Sequence, residues 1–255
     1  MNLNVVKKSI ALISTRPSEK NIGLLKGLEN TNISLLSHPL TEIIPLKNYD
    51  RFDEILNNLK IYQHIIFIST NAVQFFISRI DKFSIKLPKH IIFSSIGPTT
   101  QKALKDNFDI NVHCPKKNFD SEHLLNNKVF KHIQNKKVLV IRGVGGRESL
   151  KKMLEEKGAD VDYGECYIRN YLPINFMKIQ QEIKAYNSIF LLISSHESAI
   201  NLLAQNKGGN LQWLKSTKII VNHPRIKEVL DLTSDNIILT NDVALNSLLK
   251  IVKSN

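Results

Sequence analysis

The amino-acid sequence predicts an α/β fold built from two similar units. Short apolar runs alternate with stretches in which apolar residues recur at helical spacing, and this alternation continues along nearly the whole chain. Short strands flanked by helices are typical of parallel sheets that are covered on both faces. The predicted strands lie at residues 10–14, 65–69, 91–95, 138–141, 189–194 and 219–221.

Each predicted strand is followed by a polar, glycine or proline turn and then by a helical pattern. Pro98, directly after Gly97, is typical of the first position of a helix. Three apolar stripes at helical spacing consist of Val73, Phe76, Ile77 and Ile80, then Leu150, Met153 and Leu154, and finally Leu245, Leu248, Leu249 and Val252.

The chain also repeats itself. Four short matches occur in the same order at offsets of 125 to 128 residues, which predicts two copies of one α/β unit. The matches pair Arg16 with Arg142, residues 65–70 with 190–195, Pro98 with Pro224, and Pro45 with Pro173.

Two long extended stretches interrupt the alternation, at residues 33–46 and 160–174. Each is longer than an ordinary strand of roughly five or six residues, and they occupy equivalent places in the two copies. We therefore expect them to be the crossings between two lobes. The predicted first lobe is discontinuous and consists of residues 1–38 plus 172–255, and the second consists of residues 39–171.

Composition limits the class of protein. The chain has 255 residues, of which 42% are hydrophobic, and it contains no apolar run near the roughly 18 residues of a membrane span. Its N-terminal stretch leads into a strand pattern and lacks the cleavage site of a signal peptide. Cys114 and Cys166 lie far apart, which argues against a disulfide framework and a structural zinc site. These features predict a reducing, cytoplasmic location.

The formal net charge of +12 suggests an anionic partner, which is a nucleic acid, an anionic lipid surface or a small polyanion. Two observations weaken this interpretation. The lysines are scattered, and the abundance of Lys, Asn and Ile is also typical of a general compositional bias.

A glycine-rich turn at residues 142–149, RGVGGRES, is one candidate anion site. Its glycines would let backbone N–H groups approach an anion at the start of a helix, and two arginines flank them. The turn is not a dinucleotide fingerprint, because Glu148 stands where the third glycine belongs, and no phosphate-loop GK[ST] follows. Spacing alone favours a strand-to-helix turn without a ligand.

Hydroxyl side chains follow several predicted strands, at the edge where open α/β sheets bind ligands. Each one by itself is best interpreted as a helix N-cap, whereas the set would line a cleft with neutral hydrogen-bonding groups. The turns are Ser69-Thr70, Ser95, Thr99-Thr100 and Ser194-Ser195.

Other chemistry finds less support. Ser195 and His196 are neighbours without a nucleophile motif, and the eight histidines show no metal-ligand spacing. Tyr163 and Tyr167 are separated by an even number of residues on an extended stretch, so they are expected to share one face of a strand. Their hydroxyls either pack at the surface or serve as weak acids in a cleft.

Residues 138–170 closely resemble a segment of the uroporphyrinogen-III synthase family, with a strand, R-G-x-G-G-R-x-x-L, a helix, G-A-x-V and E-C-Y-x-R. Three shorter segments resemble the same family in order: LISTRPSE at 12–19, IIFISTNAVQFF at 65–76 and SIGPTTQKAL at 95–104. The resemblance implies two Rossmann-like parallel-sheet lobes joined by a two-stranded tether, with lobe closure about the tether. It also implies a cofactor-free lyase that cyclises hydroxymethylbilane to uroporphyrinogen III, with loss of water and inversion of the last ring.

The resemblance also implies roles for individual residues. Tyr167 matches the tyrosine proposed to assist the loss of water, and the residues implied to bind substrate are Ser69, Thr100, Gly145, Gly146, Ser194 and Ser195. The chain departs from the family at residues 221–229, VNHPRIKEV, where a second glycine-threonine turn is common. Asn222 or Arg225 would have to serve as donors there.

Two other functions compete with the synthase. A non-catalytic two-lobed protein would bind a small polyanion without converting it. A nucleic-acid binder would suit the charge, but Trp213 is the only tryptophan and no nucleic-acid motif is present. We expect a monomer without a metal, nucleic-acid or membrane partner, and the preceding enzyme of the pathway is a candidate partner.

Overall fold

The computed structural model describes residues 9–205, 212–230 and 236–254. The chain forms two compact units, one of residues 1–42 and 170–255 and the other of residues 43–169. The predicted boundaries lie between residues 38 and 39 and between residues 171 and 172. Within the described residues, no helix is both long enough and apolar enough to cross a membrane.

The first unit contains a five-stranded sheet in the order β11-β10-β9-β1-β2, and all of its strand pairs are parallel. Its strands are β1 (Ile10–Ser14), β2 (Ile33–Ser37), β9 (Ser188–Ile193), β10 (Lys218–Val221) and β11 (Ile237–Leu239). Its helices are α1 (Ile22–Leu28), α7 (Phe176–Ile183), α8 (His196–Ala204), α9 (Pro224–Leu230) and α10 (Leu245–Ser254).

The second sheet has six strands in the order β3-β8-β7-β4-β5-β6. Its strands are β3 (Thr41–Pro45), β4 (His64–Phe67), β5 (Ile92–Ser95), β6 (Val112–His113), β7 (Lys137–Gly143) and β8 (Asp160–Tyr171). The helices of this unit are α2 (Asp50–Asn57), α3 (Thr70–Lys82), α4 (Pro98–Asn107), α5 (Ser121–Leu125) and α6 (Ser149–Glu156). The α/β class and the largely parallel sheets are as predicted.

Both sheets are buried on both faces. In β1 and β9, successive residues enter two different core clusters, one on each face, and the same alternation occurs in β7. This explains why successive residues of the strands are apolar, instead of apolar and polar residues alternating along the sequence. Helices must cover both faces of each sheet, which accounts for the helical pattern after every strand.

The two sheets have the same topology. Strands β2-β1-β9-β10-β11 of the first unit correspond in order to strands β8-β7-β4-β5-β6 of the second. Lys218 lies opposite Phe190 in the first unit, and Ile92 lies opposite His64 in the second. Lys218 follows Ile92 by 126 residues, and Phe190 follows His64 by the same number. The duplication predicted from the sequence is therefore confirmed by strand order and by register.

The register corrects one of the four sequence matches. The offset of 125 residues pairs Ser69 with Ser194, whereas the offset of 126 residues pairs Ser69 with Ser195. Helix capping agrees with the second pairing, because each of these two hydroxyls accepts the backbone N–H three residues later, at 3.1 and 3.0 Å. The predicted match was wrong by one residue because short strings of apolar letters align equally well in neighbouring registers.

The two long stretches carry the crossings between the units, as predicted. Residues 33–46 are divided between β2 and β3, and the unit boundary falls within β3. Residues 160–171 form one strand of 12 residues, β8, in which the other boundary lies. Strands β3 and β8 are neighbours in the second sheet, so the two connections form a two-stranded tether.

Strand β8 contains an irregularity beside the end of β7. Arg142 lies opposite Glu165, but the next residue, Gly143, lies opposite Tyr167, so Cys166 is an additional residue in β8. A Cβ atom on Gly143 would lie 2.5 Å from Cε2 of Tyr167, which is closer than any real contact. A glycine is therefore required here because the aromatic ring lies against the backbone.

The same irregularity separates two tyrosines. Tyr163 packs against the core cluster that contains Val138 and Val140, whereas Tyr167 belongs to the cluster that contains Leu139 and Ile141. The two tyrosines thus lie on opposite faces of the sheet, and the prediction that they share a face was wrong. The additional residue resets the alternation, which holds only where strand pairing is unbroken.

Replacement of Gly143 by alanine tests this close contact. We expect Gly143→Ala to lower the free energy of unfolding by about 1–3 kcal/mol, because the methyl group must displace the Tyr167 ring. Urea unfolding measures the change. The matched control is Gly23→Ala in α1, where a Cβ meets no atom within 4 Å, and a gain of about 0.5–1 kcal/mol is expected. Full stability of Gly143→Ala would contradict the proposed contact.

His64, at the start of β4, is a buried histidine. It is 3% exposed, it stacks on Phe130 with ring centroids 5.4 Å apart, and its Nδ1 atom has no hydrogen-bond partner. Burial, with smaller effects of His113 and Lys136, lowers the pKa of His64 to about 4. Because an unfolded histidine titrates near pH 6.5, the unfolded chain takes up a proton between about pH 6.5 and 4 that the folded chain does not.

Stability should therefore fall as the pH falls through this window, and His64→Phe should reduce the dependence. We expect the substitution to remove a contribution approaching about 1.4 kcal/mol per pH unit between pH 6 and 4.5. Urea unfolding at several pH values measures the slope. As a control, Phe76→Leu, in the other core cluster of this unit, should lower stability at every pH without changing the slope. Equal slopes for His64→Phe and the wild type would rule out this assignment.

Candidate functional site

Each sheet has one position at which its connections diverge. In the first unit, the chain leaves β1 toward β2 on one side and leaves β9 toward β10 on the other. In the second unit, the chain leaves β7 toward β8 and leaves β4 toward β5, again in opposite directions. Open parallel sheets bind ligands at the carboxyl ends of the two strands that flank such a position.

Five predicted site residues lie in the loops at these two positions. The loop after β9 contains Ser194 and Ser195, the loop after β4 contains Ser69, and the loop after β7 contains Gly145 and Gly146. Within the second unit, topology therefore brings the Ser69 loop and the Gly145-Gly146 turn to neighbouring strands, although they are far apart in sequence. A sixth residue, Tyr167, lies in β8 and reaches the loop after β4 through a hydrogen bond.

The second unit joins Ser69 to Tyr167. Their hydroxyl oxygens are 3.1 Å apart, and either group can be the donor. The Ser69 oxygen also accepts the backbone N–H of Ala72, which fixes it at the start of α3. Tyr167 is 1% exposed, and its ring stacks on Phe75 with centroids 5.6 Å apart. The phenol is thus held in one orientation, with a half-buried serine as its hydroxyl partner.

The thiol beside this pair is not a competing reactive group. Cys166 is fully buried, its Sγ atom lies 3.5 Å from the carbonyl oxygen of Arg142, and burial raises the pKa of the thiol well above its ordinary value. A buried thiol of this kind stays protonated and is a poor nucleophile. Among these three side chains, the hydroxyl groups of Ser69 and Tyr167 are therefore the candidates for a proton donor.

The glycine-rich turn holds a buried arginine. Arg142 is 2% exposed, and its guanidinium donates to the carbonyl oxygen of Gly145 and, at 3.1 Å, to the Glu148 carboxylate. It also lies 4.2 Å from the centre of the Tyr163 ring. A Cβ on Gly146 would lie 2.8 Å from the guanidinium, so the turn needs glycine there to enclose the arginine.

Two charged side chains of this turn, Arg142 and Glu148, compensate each other. A hydrogen bond from Tyr163 and the nearby guanidinium of Arg142 lower the pKa of Glu148, which stays ionised opposite the arginine. The backbone N–H of Gly145 donates to the Glu165 carboxylate at 3.2 Å. Gly145 and Gly146 have φ angles of 70° and 100° and are exposed, and α6 begins three residues later.

The remaining predicted residues lie near helix starts. Thr100 is the third residue of α4, after β5, and is 5% exposed. Ser195 caps α8 and donates to the Ser198 hydroxyl at 2.8 Å, while Ser194 is half-buried beside it. In the segment that departs from the family, Arg225 is exposed in the first turn of α9 and the buried Oδ1 atom of Asn222 has no partner.

One further residue, Arg16, lies at the diverging position of the first unit's sheet, between β1 and β9. Arg16 immediately follows the loop residue Thr15 after β1, opposite the loop that contains Ser194 and Ser195. In the sequence, Arg16 marks the repeat through its match with Arg142, and it lies within LISTRPSE, a segment that resembles the family. Neither observation assigned a role to it.

Among the described residues, no group of three or more His, Cys, Asp and Glu side chains is arranged to hold a metal ion. The loops at the two diverging positions carry hydroxyls, backbone amides and arginines. Such a set can bind carboxylates and can donate or relay protons.

Comparison with known sequences identifies relatives. A family model described as uroporphyrinogen-III synthase HemD matches residues 24–245. A uroporphyrinogen-III synthase of Proteus mirabilis is 28% identical over 188 residues, which cover 74% of this chain and 94% of the relative. The Escherichia coli uroporphyrinogen-III synthase is 29% identical over 160 residues, which cover 63% of this chain and 65% of the relative.

Solved structures show the same fold. A mutant uroporphyrinogen III synthase of Thermus thermophilus superposes with a TM-score of 0.71 at 12% identity, covering 96% of this chain and 98% of the other. The uroporphyrinogen-III synthetase of Helicobacter pylori gives a TM-score of 0.57 at 16% identity, with coverages of 96% and 98%. The family model covers most of the sequence, and the fold agrees with it. The chain therefore belongs to the uroporphyrinogen-III synthase family.

Proposed function

We propose that this protein is a uroporphyrinogen-III synthase, a lyase that cyclises the linear tetrapyrrole hydroxymethylbilane in haem biosynthesis. The reaction expels water and inverts the last pyrrole ring. Family membership supports the activity, and the hydrogen-bonded pair of Ser69 and Tyr167 is the structural observation that supports a role in catalysis. The pair lies where a parallel sheet binds its ligands.

Loss of water is the step that needs a proton. The C–O bond of the hydroxymethyl group breaks, the oxygen leaves as water after taking up a proton, and the carbon becomes part of a cation delocalised over the pyrrole. In the proposed mechanism Tyr167 assists this step, and Ser69 orients its hydroxyl. Ring closure then forms a carbon–carbon bond to the last ring, whose bond to its own bridging carbon breaks and re-forms at the opposite α-carbon. That carbon releases a proton, so the proton balance closes without any cofactor.

Positioning provides most of the remaining catalysis. The open tetrapyrrole must be folded so that its two ends meet, which is an intramolecular reaction favoured by fixed geometry. The Tyr167 ring is immobilised between Phe75 and the backbone of Gly143, so the hydroxyl is already in place before substrate arrives. Because spontaneous closure after the same loss of water gives type I, the fold imposed on the bound chain must direct the last ring to close in the inverted orientation.

The substrate is a small polyanion with acetate and propionate arms, and the chain carries a net charge of +12. We propose that neutral donors bind these arms, namely the hydroxyls of Ser69, Thr100, Ser194 and Ser195 and the backbone at Gly145 and Gly146. A carboxylate arm at Gly145 would replace the Glu165 carboxylate that now accepts its N–H. Many weak contacts of this kind suit a flexible ligand with several identical charges.

We propose a monomeric protein of the cytoplasm, for which the two free thiols, Cys114 and Cys166, are the supporting observation. The enzyme that makes hydroxymethylbilane is a proposed partner, since the substrate closes spontaneously and rapid transfer would limit that loss. Nucleic acid and membranes are not proposed as partners.

A coupled assay tests the proposed activity. Purified protein receives freshly made hydroxymethylbilane, the products are oxidised, and the type I and type III uroporphyrin isomers are separated. Spontaneous closure gives type I, so we expect a protein-dependent excess of type III. A folded protein that binds the substrate but gives only type I would instead be the non-catalytic binder.

Replacement of Tyr167 tests the mechanism. We expect Tyr167→Phe to lower kcat for type III formation by about 10- to 100-fold without abolishing it, because positioning of the substrate remains. The matched control is Tyr171→Phe, since Tyr171 lies in the same strand but is 52% exposed, and its kcat should be unchanged. Wild-type turnover by Tyr167→Phe would remove this hydroxyl from the mechanism.

A further inference from the structure

Arg16 lies at the diverging position of the first sheet, directly beyond β1. Its side chain is half-buried, yet no hydrogen bond or ion pair joins its guanidinium to any described part of the chain. Burial lowers the pKa of this guanidinium, and no neighbouring acid raises it again. A partly desolvated charge without a counterion is unfavourable in the free protein, and an anionic ligand would relieve it.

The duplicated unit shows what a structural arginine looks like at the same position. Arg142 is the equivalent of Arg16 at the offset of 126 residues. Its guanidinium hydrogen-bonds to residues of its own turn. It is paired with Glu148 and bound by backbone carbonyls of its own turn. Position 22, the equivalent of Glu148, is Ile22, so Arg16 lacks the acid that would pair with it.

The backbone that carries Arg16 is firmly held. Thr15 donates through both its N–H and its hydroxyl to the carbonyl oxygen of Leu192 in β9, at 3.2 and 2.9 Å. The Ser14 hydroxyl donates to Oδ1 of the buried Asn21 at 2.8 Å and accepts the N–H of Arg16 at 3.4 Å. The side chain therefore projects from a fixed loop, and binding an anion would order little besides the guanidinium itself.

We propose that Arg16, at the diverging position of the first sheet, binds one carboxylate arm of the linear tetrapyrrole. This inference rests on the proposed function. A guanidinium offers two parallel N–H groups to a carboxylate, which neither a lysine nor a hydroxyl can match. Arg16 is accordingly a substrate-binding residue, and its loss should weaken binding more than the chemical step.

The test compares Arg16→Gln and Arg16→Lys with the wild type in the isomer assay. For Arg16→Gln we expect KM for hydroxymethylbilane to rise about 10- to 100-fold, with kcat changed less than about threefold. Arg16→Lys should give an intermediate KM, because it keeps the charge and loses the paired donors. Lys26→Gln is the matched control, since it removes the same charge from an exposed position of α1 and should leave KM unchanged.

Thermal unfolding separates binding from a structural role. Because the guanidinium has no partner in the described chain, Arg16→Gln should keep or raise the melting temperature. A fall of several degrees would show a structural arginine and overturn the inference. So would a KM within about twofold of the wild-type value in a variant that still forms type III. If the wild type itself forms no type III, the proposed function fails first, and the inference fails with it.

Discussion

The parallel arrangement of the strands is the constraint on which the candidate site depends. Parallel pairing brings the carboxyl ends of all strands to one edge, and the reversal of connection direction opens a gap between two of the following loops. In the second unit this brings Ser69 and the Gly145-Gly146 turn to one edge, although 76 residues separate Ser69 from Gly145 in the sequence (145 − 69), and Ser194 and Ser195 occupy such a loop in the first unit. Each hydroxyl turn therefore lies at the carboxyl edge of its own sheet, and the Ser69 and Ser195 hydroxyls also serve as ordinary helix caps.

Duplication places two such edges in one chain, and the two copies use the same scaffold position differently. After β7 an arginine is enclosed by its own glycine turn and paired with an acid, which makes the turn rigid. After β1 the guanidinium of the equivalent arginine has no ion pair or hydrogen bond among the described residues. The same scaffold position thus carries a paired arginine in one unit and, within the described chain, an unpaired one in the other.

The additional residue in β8 shows how a small irregularity determines a functional geometry. Without it, Tyr167 would point to the opposite face of the sheet, away from Ser69. With it, the ring lies against Gly143 and the hydroxyl meets the start of α3. The position of Tyr167 therefore depends on Gly143 in the preceding strand, because any larger residue there would collide with the tyrosine ring.

The sequence by itself determined the α/β class, the duplication, the two long crossings and the hydroxyl turns. These features depend on local periodicity and on turn residues, and they can be recognised without knowing which segments meet. Only the tertiary structure decided the strand register, the opposite faces of Tyr163 and Tyr167, and the different environments of Arg16 and Arg142. Those properties depend on hydrogen-bond partners and packing contacts supplied by distant segments, and a two-residue periodicity cannot show where an extra residue interrupts the pairing.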